Sequence, residues 1–208
     1  DVMKLWQGLG YYSRARNLHA TAKHITYELD GKFPKTYKDI LLLKGVGPYT
    51  AAAIASFAYN LSHAVVDGNV YRVLSRIFGI EMPIDSTAGK KAFFKLANEL
   101  IDAKKAGKYN QAIMDFGATL CTPKLPKCKS CPFKSNCKAL KNKSIDKLPV
   151  KSKKLVKKER HFHYLILNYK GCLWLNKRTK KDIWQNLYDF PLIEFPTKKE
   201  QNDVKNHS

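Results

Sequence analysis

The sequence predicts a mainly α-helical domain followed by the opening of a smaller α/β domain. Three observations predict it. Apolar residues recur at three- and four-residue steps through the first part of the chain, strand signals are almost absent before residue 160, and a basic stretch then gives way to turn-rich sequence. Of the 208 residues, 44% are hydrophobic, which suits a globular protein with a sizeable core and not a disordered tail.

The elements follow in order. Asp1-Val2-Met3-Lys4-Leu5-Trp6 reads as the middle of a helix, hence as a cut edge. Over 11–30, Ala15, Leu18, Ala22 and Ile25 line one helical face, and Gly31 supplies the stop. Residues 36–39 have the form of a capping box ahead of Ile40-Leu41-Leu42-Leu43, a short second helix. Pro48 suits the first turn of an Ala-rich third helix running to about Tyr59. Further helices are expected over 69–79, 87–102 and 108–120, the middle one capped by Ser86 or Thr87. Residues 138–160 hold ten Lys or Arg around Pro149 and read as an extended basic linker. Beyond it, 162–167 is expected as a strand, 168–171 as a turn and 172–175 as the returning strand. About 48 residues follow position 160, too few for an independent core, so the second domain is expected to be truncated.

Charge narrows the partner. Against 38 Lys and Arg stand 17 Asp and Glu, a formal net charge of +21. A polyanionic partner accounts for such an excess, although a generally lysine-rich composition would give the same sign. Nucleic acid is favoured over a membrane, because no basic amphipathic segment carries a broad aromatic and leucine face. No apolar run approaches the roughly 20 residues that span a bilayer, and no secretory signal opens the chain. Four of the five cysteines fall between Cys121 and Cys137. A secreted disulfide framework would spread them, so a metal and a reducing cytoplasm are expected.

Three motifs carry chemistry. The first is Leu43-Lys44-Gly45-Val46-Gly47-Pro48-Tyr49-Thr50, between two helices. Gly45 and Gly47 permit a tight turn and close approach, and their N–H groups with the next helix N-terminus make an anion site suited to a DNA phosphate. Such a hairpin positions the protein without reading bases, and an ordinary helix–helix turn is the plain alternative. The second is Cys121-x6-Cys128-x2-Cys131-x5-Cys137, whose thiolates can converge on one centre. Soft sulfur selects zinc or iron–sulfur, and spacing alone leaves both open. Lys124, Lys127, Lys129 and Lys134 lie between them, so the pinned loop is itself basic. Cys172 stands outside the set, as a small packing residue. The third is Val65-Val66-Asp67-Gly68-Asn69, where Asp67 is either a pocket-edge carboxylate or a helix cap.

A glycine hairpin, then an Asp about twenty residues on, then this cysteine spacing resembles the endonuclease III, or helix-hairpin-helix-GPD, superfamily of DNA glycosylases. The resemblance runs from about residue 5 to residue 140. It implies a helical glycosylase domain over 1–140, with 121–137 as a [4Fe–4S] loop held by Cys121, Cys128, Cys131 and Cys137, followed by the linker 141–160 and a second domain from 161 to 208. It also implies that Asp67 stabilises the cationic sugar left as an everted base departs. In the bifunctional lyase members a lysine attacks the sugar from the catalytic position that Tyr49 occupies here, and tyrosine cannot form that Schiff base. Gly8-Leu9-Gly10-Tyr11-Tyr12-Ser13-Arg14-Ala15-Arg16-Asn17 and Tyr109-Asn110-Gln111-Ala112-Ile113-Met114-Asp115 look like the adenine-excising branch, which acts opposite 8-oxoguanine. That branch implies Tyr11 as a wedge in the base stack, Gln111 as a contact to the extruded adenine and Asn69 as a partner orienting Asp67. Arg14, Arg16, Gly45, Val46 and Gly47 are implied as DNA contacts. A core aromatic and a solvated helix face are the plain readings of Tyr11 and Gln111.

The stretches 173–178 and 183–191 are similar to the start of the Nudix-like α/β domain that these enzymes use on 8-oxoguanine, with Asn186 where glycine is common. The implied partner is duplex DNA with an adenine:8-oxoguanine or adenine:guanine mismatch, met by a monomer in the cytoplasm at the nucleoid. No residue here matches the family's general-acid glutamate, and Glu28 sits too far along its helix. A positioned acid contributes about 10²–10⁴ in rate, so weak excision is expected of these 208 residues alone. A bifunctional lyase and a non-catalytic iron–sulfur DNA-binding module are the competing expectations.

Overall fold

The computed structural model describes residues 1–152 and 159–200. The expected linker positions 153–158 and the end of the expected second domain, 201–208, lie outside the described residues. Eight α-helices occur among those described: α1 (Val2–Leu5), α2 (Tyr12–Glu28), α3 (Tyr37–Leu41), α4 (Pro48–Tyr59), α5 (Gly68–Phe78), α6 (Thr87–Leu100), α7 (Ala106–Thr119) and α8 (Lys138–Lys141). Six short strands follow: β1 (His161–Tyr164), β2 (Asn168–Tyr169), β3 (Cys172–Leu173), β4 (Asn176–Lys177), β5 (Tyr188–Asp189) and β6 (Leu192–Phe195). The described chain divides into two units, residues 18–154 and residues 1–17 together with those described beyond 154.

Among its described residues the unit of residues 18–154 has helices and no strand, and its caps explain the helix boundaries. Thr36 Oγ1 accepts from the Asp39 amide ahead of α3, and Ser86 Oγ accepts from the Gly89 amide ahead of α6. Pro48 takes the first position of α4, where its missing N–H costs nothing. Gly79, with φ of 64°, ends α5 in the left-handed conformation. One core joins Ala64, Val70, Leu74, Phe93 and Ala97, with Tyr71 edge-on to Phe93 at 5.1 Å. A second joins Ile40 of α3 to Ala51 and Ala55 of α4, with Val46 packed against it. The helix α5 lies against α6, α7 and α8, so it is buried on several sides. Arginines join its apolar residues in the interior: Arg72 and Arg76 are 8% and 2% exposed.

In the other unit the strand pairing departs from expectation. Residues 161–164 pair antiparallel with Leu192–Phe195, and the local hairpin is shorter, Asn168 opposite Leu173 and Tyr169 opposite Cys172. The expected strand 162–167 therefore breaks after Tyr164. Its first half takes a partner some thirty residues away, a long-range choice that alternation cannot reveal. Tyr188–Asp189 pairs with Asn176–Lys177, and Arg178 bridges Asp182 and Asp189. Cys172 is exposed and lies in β3, so it is not the packing residue expected.

Candidate functional site

The hairpin between α3 and α4 is built to leave its amides at the surface. Val46 packs inward while Gly45 and Gly47 on either side are exposed, and Gly45 has φ of 80°, which only glycine adopts freely. Thr21 Oγ1 donates to the Lys44 carbonyl at 2.9 Å, fixing the turn to α2. Gly47 caps α4 without any side-chain hydrogen bond, so the first turn presents backbone N–H groups of a positive dipole end. Tyr49 stands in that turn, 47% exposed. Such a terminus can hold a phosphate.

Asp67 is half-buried at the N-terminus of α5. One oxygen, Oδ1, caps the helix by accepting from the Val70 amide at 2.8 Å, and the other, Oδ2, accepts from Asn69 Nδ2 at 3.0 Å. Asn69 Oδ1 in turn accepts from Arg72 at 2.8 Å. Arg72 donates onward to the carbonyls of Gly117 and Cys121, each at 2.7 Å. Burial holds the Arg72 guanidinium below its ordinary range, while the Cys121 thiol and the Asp67 carboxylate act the other way. The carboxylate is thus both a cap and a charge oriented through Asn69. Of the two readings of Asp67, the helix cap is the one the hydrogen bonds show.

Cys121, Cys128, Cys131 and Cys137 line one cavity, with Arg76, Phe116, Leu120, Pro126 and Leu140 around them. Burial pushes the Cys128 thiol up, and the proximity of Cys121, Cys137 and Cys131 pushes it further, while Arg76 opposes. Among the described residues no three His, Cys, Asp or Glu converge tightly enough to hold a single ion. Four soft thiols lining one pocket are a donor set suited to zinc or to an iron–sulfur group. Arg76 closes the loop onto α5. It donates to the carbonyls of Thr122 and Pro123 at 2.8 and 3.2 Å and of Ile145 and Leu148 at 3.2 and 3.1 Å, and lies 3.5 Å from Cys121 Sγ. Lys124, Lys127, Lys129 and Lys134 are exposed on the loop.

Gln111 lies on the exposed face of α7 and donates to Asp115 at 2.8 Å. Tyr11, Arg14 and Arg16 belong to the other unit. Tyr11 is 81% exposed with φ of 46°, a conformation rare for a non-glycine residue, so it is not a core aromatic. The Arg14 guanidinium lies over the Trp6 ring, and Arg16 donates to the Gln185 carbonyl at 3.1 Å. Sequence reasoning missed Arg72 and Arg76. Their signal was present: two arginines four apart among Val70, Val73 and Leu74 are costly in a buried helix unless carbonyls receive them.

Residues 1–100 match the model of the HhH-GPD superfamily base excision DNA repair proteins. The chain is 39% identical over 198 residues to the adenine DNA glycosylase of Buchnera aphidicola subsp. Schizaphis graminum, covering 95% of this chain and 56% of that protein. It is 47% identical over 140 residues to the adenine DNA glycosylase of Homo sapiens, covering 67% of this chain and 26% of that protein. The chain thus spans about half the length of the Buchnera relative. Among solved structures, a thermostable thymine-DNA glycosylase superposes with a TM-score of 0.58 at 35% identity, over 62% of this chain and 59% of that one. A non-covalent endonuclease III–DNA complex gives 0.53 at 25% identity, over 62% of this chain and 58% of that one.

Proposed function

We propose, from the match of residues 1–100 to the HhH-GPD superfamily of base excision DNA repair proteins, that the chain is part of an adenine DNA glycosylase. In this reading it binds duplex DNA, everts an adenine paired with 8-oxoguanine or guanine, and hydrolyses the glycosidic bond without a lyase step. The observation that carries it is the Asp67 carboxylate, fixed by the Val70 amide and by Asn69 in a chain 39% identical to an adenine DNA glycosylase over nearly all its length. A preoriented carboxylate stabilises an oxocarbenium-like sugar as positive charge develops, with no reorganisation at the moment of reaction. Asn69, itself held by Arg72, keeps the carboxylate from turning away. Tyr49 supports a monofunctional reaction, because no amine stands at that position to attack the sugar.

The hairpin amides at Gly45, Val46 and Gly47 would grip a phosphate, with Tyr11 as the wedge and Gln111, released from Asp115, as a contact to adenine. Cys121, Cys128, Cys131 and Cys137 would hold a [4Fe–4S] cluster, whose contribution is to pin the basic loop. Residues from 161 onward would begin a Nudix-like domain for 8-oxoguanine.

The test is single-turnover excision from an adenine:8-oxoguanine duplex, using the protein at the length of its relatives, with Asp67→Asn beside the wild type. Asparagine caps helices about as well as aspartate, so stability should change by no more than ~0.5 kcal/mol, with lesion binding retained and excision abolished. Retained excision in Asp67→Asn, or borohydride trapping of a covalent adduct, would overturn the proposal. Lesion binding without excision in the wild type would leave an iron–sulfur DNA-binding module.

A further inference from the structure

Asp67 is delivered by residues 63–66, a segment outside every helix and strand of the structure. Its backbone is held by two asparagine side chains instead of a sheet. Asn98 Oδ1 of α6 accepts from the Ala64 amide at 3.1 Å. Asn110 of α7 does more. Its Oδ1 accepts from the Val65 amide at 3.1 Å, and its Nδ2 donates to the His63 carbonyl and to Ser56 Oγ of α4, each at 2.9 Å. Asn110 is 1% exposed, so both of its amide protons are committed to protein partners.

The same helices are tied together a turn away. Asn60, which ends α4, donates to the Lys104 carbonyl at 2.9 Å and accepts from the Gly107 amide at 3.3 Å. Gly107 packs so tightly that an added Cβ would meet the Ser56 carbonyl at 2.7 Å. The end of α4 therefore cannot slide along α7, and Asn110 uses that fixed seam as its anchor. A leucine would fill similar space but leave the Val65 amide and the His63 carbonyl without partners.

We infer that Asn110 is a positioning residue for Asp67. It sets the height of segment 63–66 against the seam of α4 and α7, and so where the carboxylate stands. The inference rests on the glycosylase reading of Asp67. It gives consecutive residues of α7 separate duties, Asn110 inward to the acid and Gln111 outward to the base.

Two measurements test it. In the 208-residue chain, amide exchange of Asn110→Ala should quicken at Val65 and also at Val70, whose N–H is capped by Asp67, each by about tenfold or more, with α6 amides unchanged. Protection kept at Val70 while Val65 loses it would overturn the inference, since Asp67 would then be held independently. If Asn110→Ala does not fold, Asn110→Asp keeps an acceptor for Val65 but loses both donated bonds, and protection at Val70 again decides. In the protein at the length of its relatives, Asn110→Ala should lower single-turnover excision by about 10²-fold, while the Kd for lesion duplex stays within about twofold. Ser56→Ala keeps both backbone bonds and should remain within about threefold of wild type in rate. A parallel fall in rate and affinity would mark Asn110 as merely structural and overturn the inference. A wild type that excises nothing would sink the glycosylase reading, while the exchange measurement would still decide whether Asn110 holds Asp67.

Discussion

The carboxylate of Asp67 is divided between two neighbours on its own helix, and the second of them depends on a glycine elsewhere. A Cβ added at Gly117 of α7 would stand 2.7 Å from Asn69 Cβ and 3.2 Å from its Cα. In an open helix interior, Gly→Ala gains about 0.5–1 kcal/mol. Here the contact reverses the sign. Gly117→Ala should destabilise by about 1–3 kcal/mol, as overpacking does, and should push Asn69 off the Asp67 carboxylate. Thermal melting checks it, at roughly 2–4 °C per kcal/mol for a chain of this size. A raised melting temperature would mean that α5 and α7 separate freely. Tyr11, proposed as the wedge, is an exposed aromatic in a left-handed backbone conformation, a strained feature for a non-glycine residue.

The four-cysteine loop is an element without regular structure of its own, apart from a single 3-10 turn at Cys128–Ser130. Its shape comes from its anchors. Arg76 takes the carbonyls at its start and those of Ile145 and Leu148 after its end, and Cys137 opens α8, packed with Ala139 and Leu148. Further contacts come from Phe133 edge-on to Phe116 at 5.5 Å and from the Lys127 amide donating to the Leu120 carbonyl. On the proposed [4Fe–4S] reading, Cys131→Ser should lose both the brown colour and the bound iron of the purified protein, and should weaken duplex binding along with them. Colour retained at full iron content would remove Cys131 from the ligand set. The hairpin behaves differently: Val46 in the core and Thr21 on the Lys44 carbonyl hold its form without any added group.

Taken across the chain, a formal charge of +21 makes binding an ionic-strength measurement. An interface with about six phosphate contacts should lose about 10³ in affinity for undamaged duplex between 50 and 200 mM salt. A flat dependence would show that the excess lysine is unrelated to DNA. The helices were legible because caps and glycine stops act locally: Thr36, Ser86 and Pro48 each stand where their side chains or ring require. The four thiols and the glycine hairpin were legible for the same reason, since short spacing confines their geometry. The pairing of His161–Tyr164 with Leu192–Phe195 was not, because alternation names a face and not a partner. Nor was Asn110, whose polarity reads as surface until the tertiary fold brings the Val65 amide, the His63 carbonyl and the Ser56 hydroxyl to it. The sequence by itself determined the helical class and the close spacing of the four thiols, and it named Asp67 as the candidate acid. Only the tertiary structure decided what holds the acid, since a buried polar group is stable solely where partners distant in the chain converge on it.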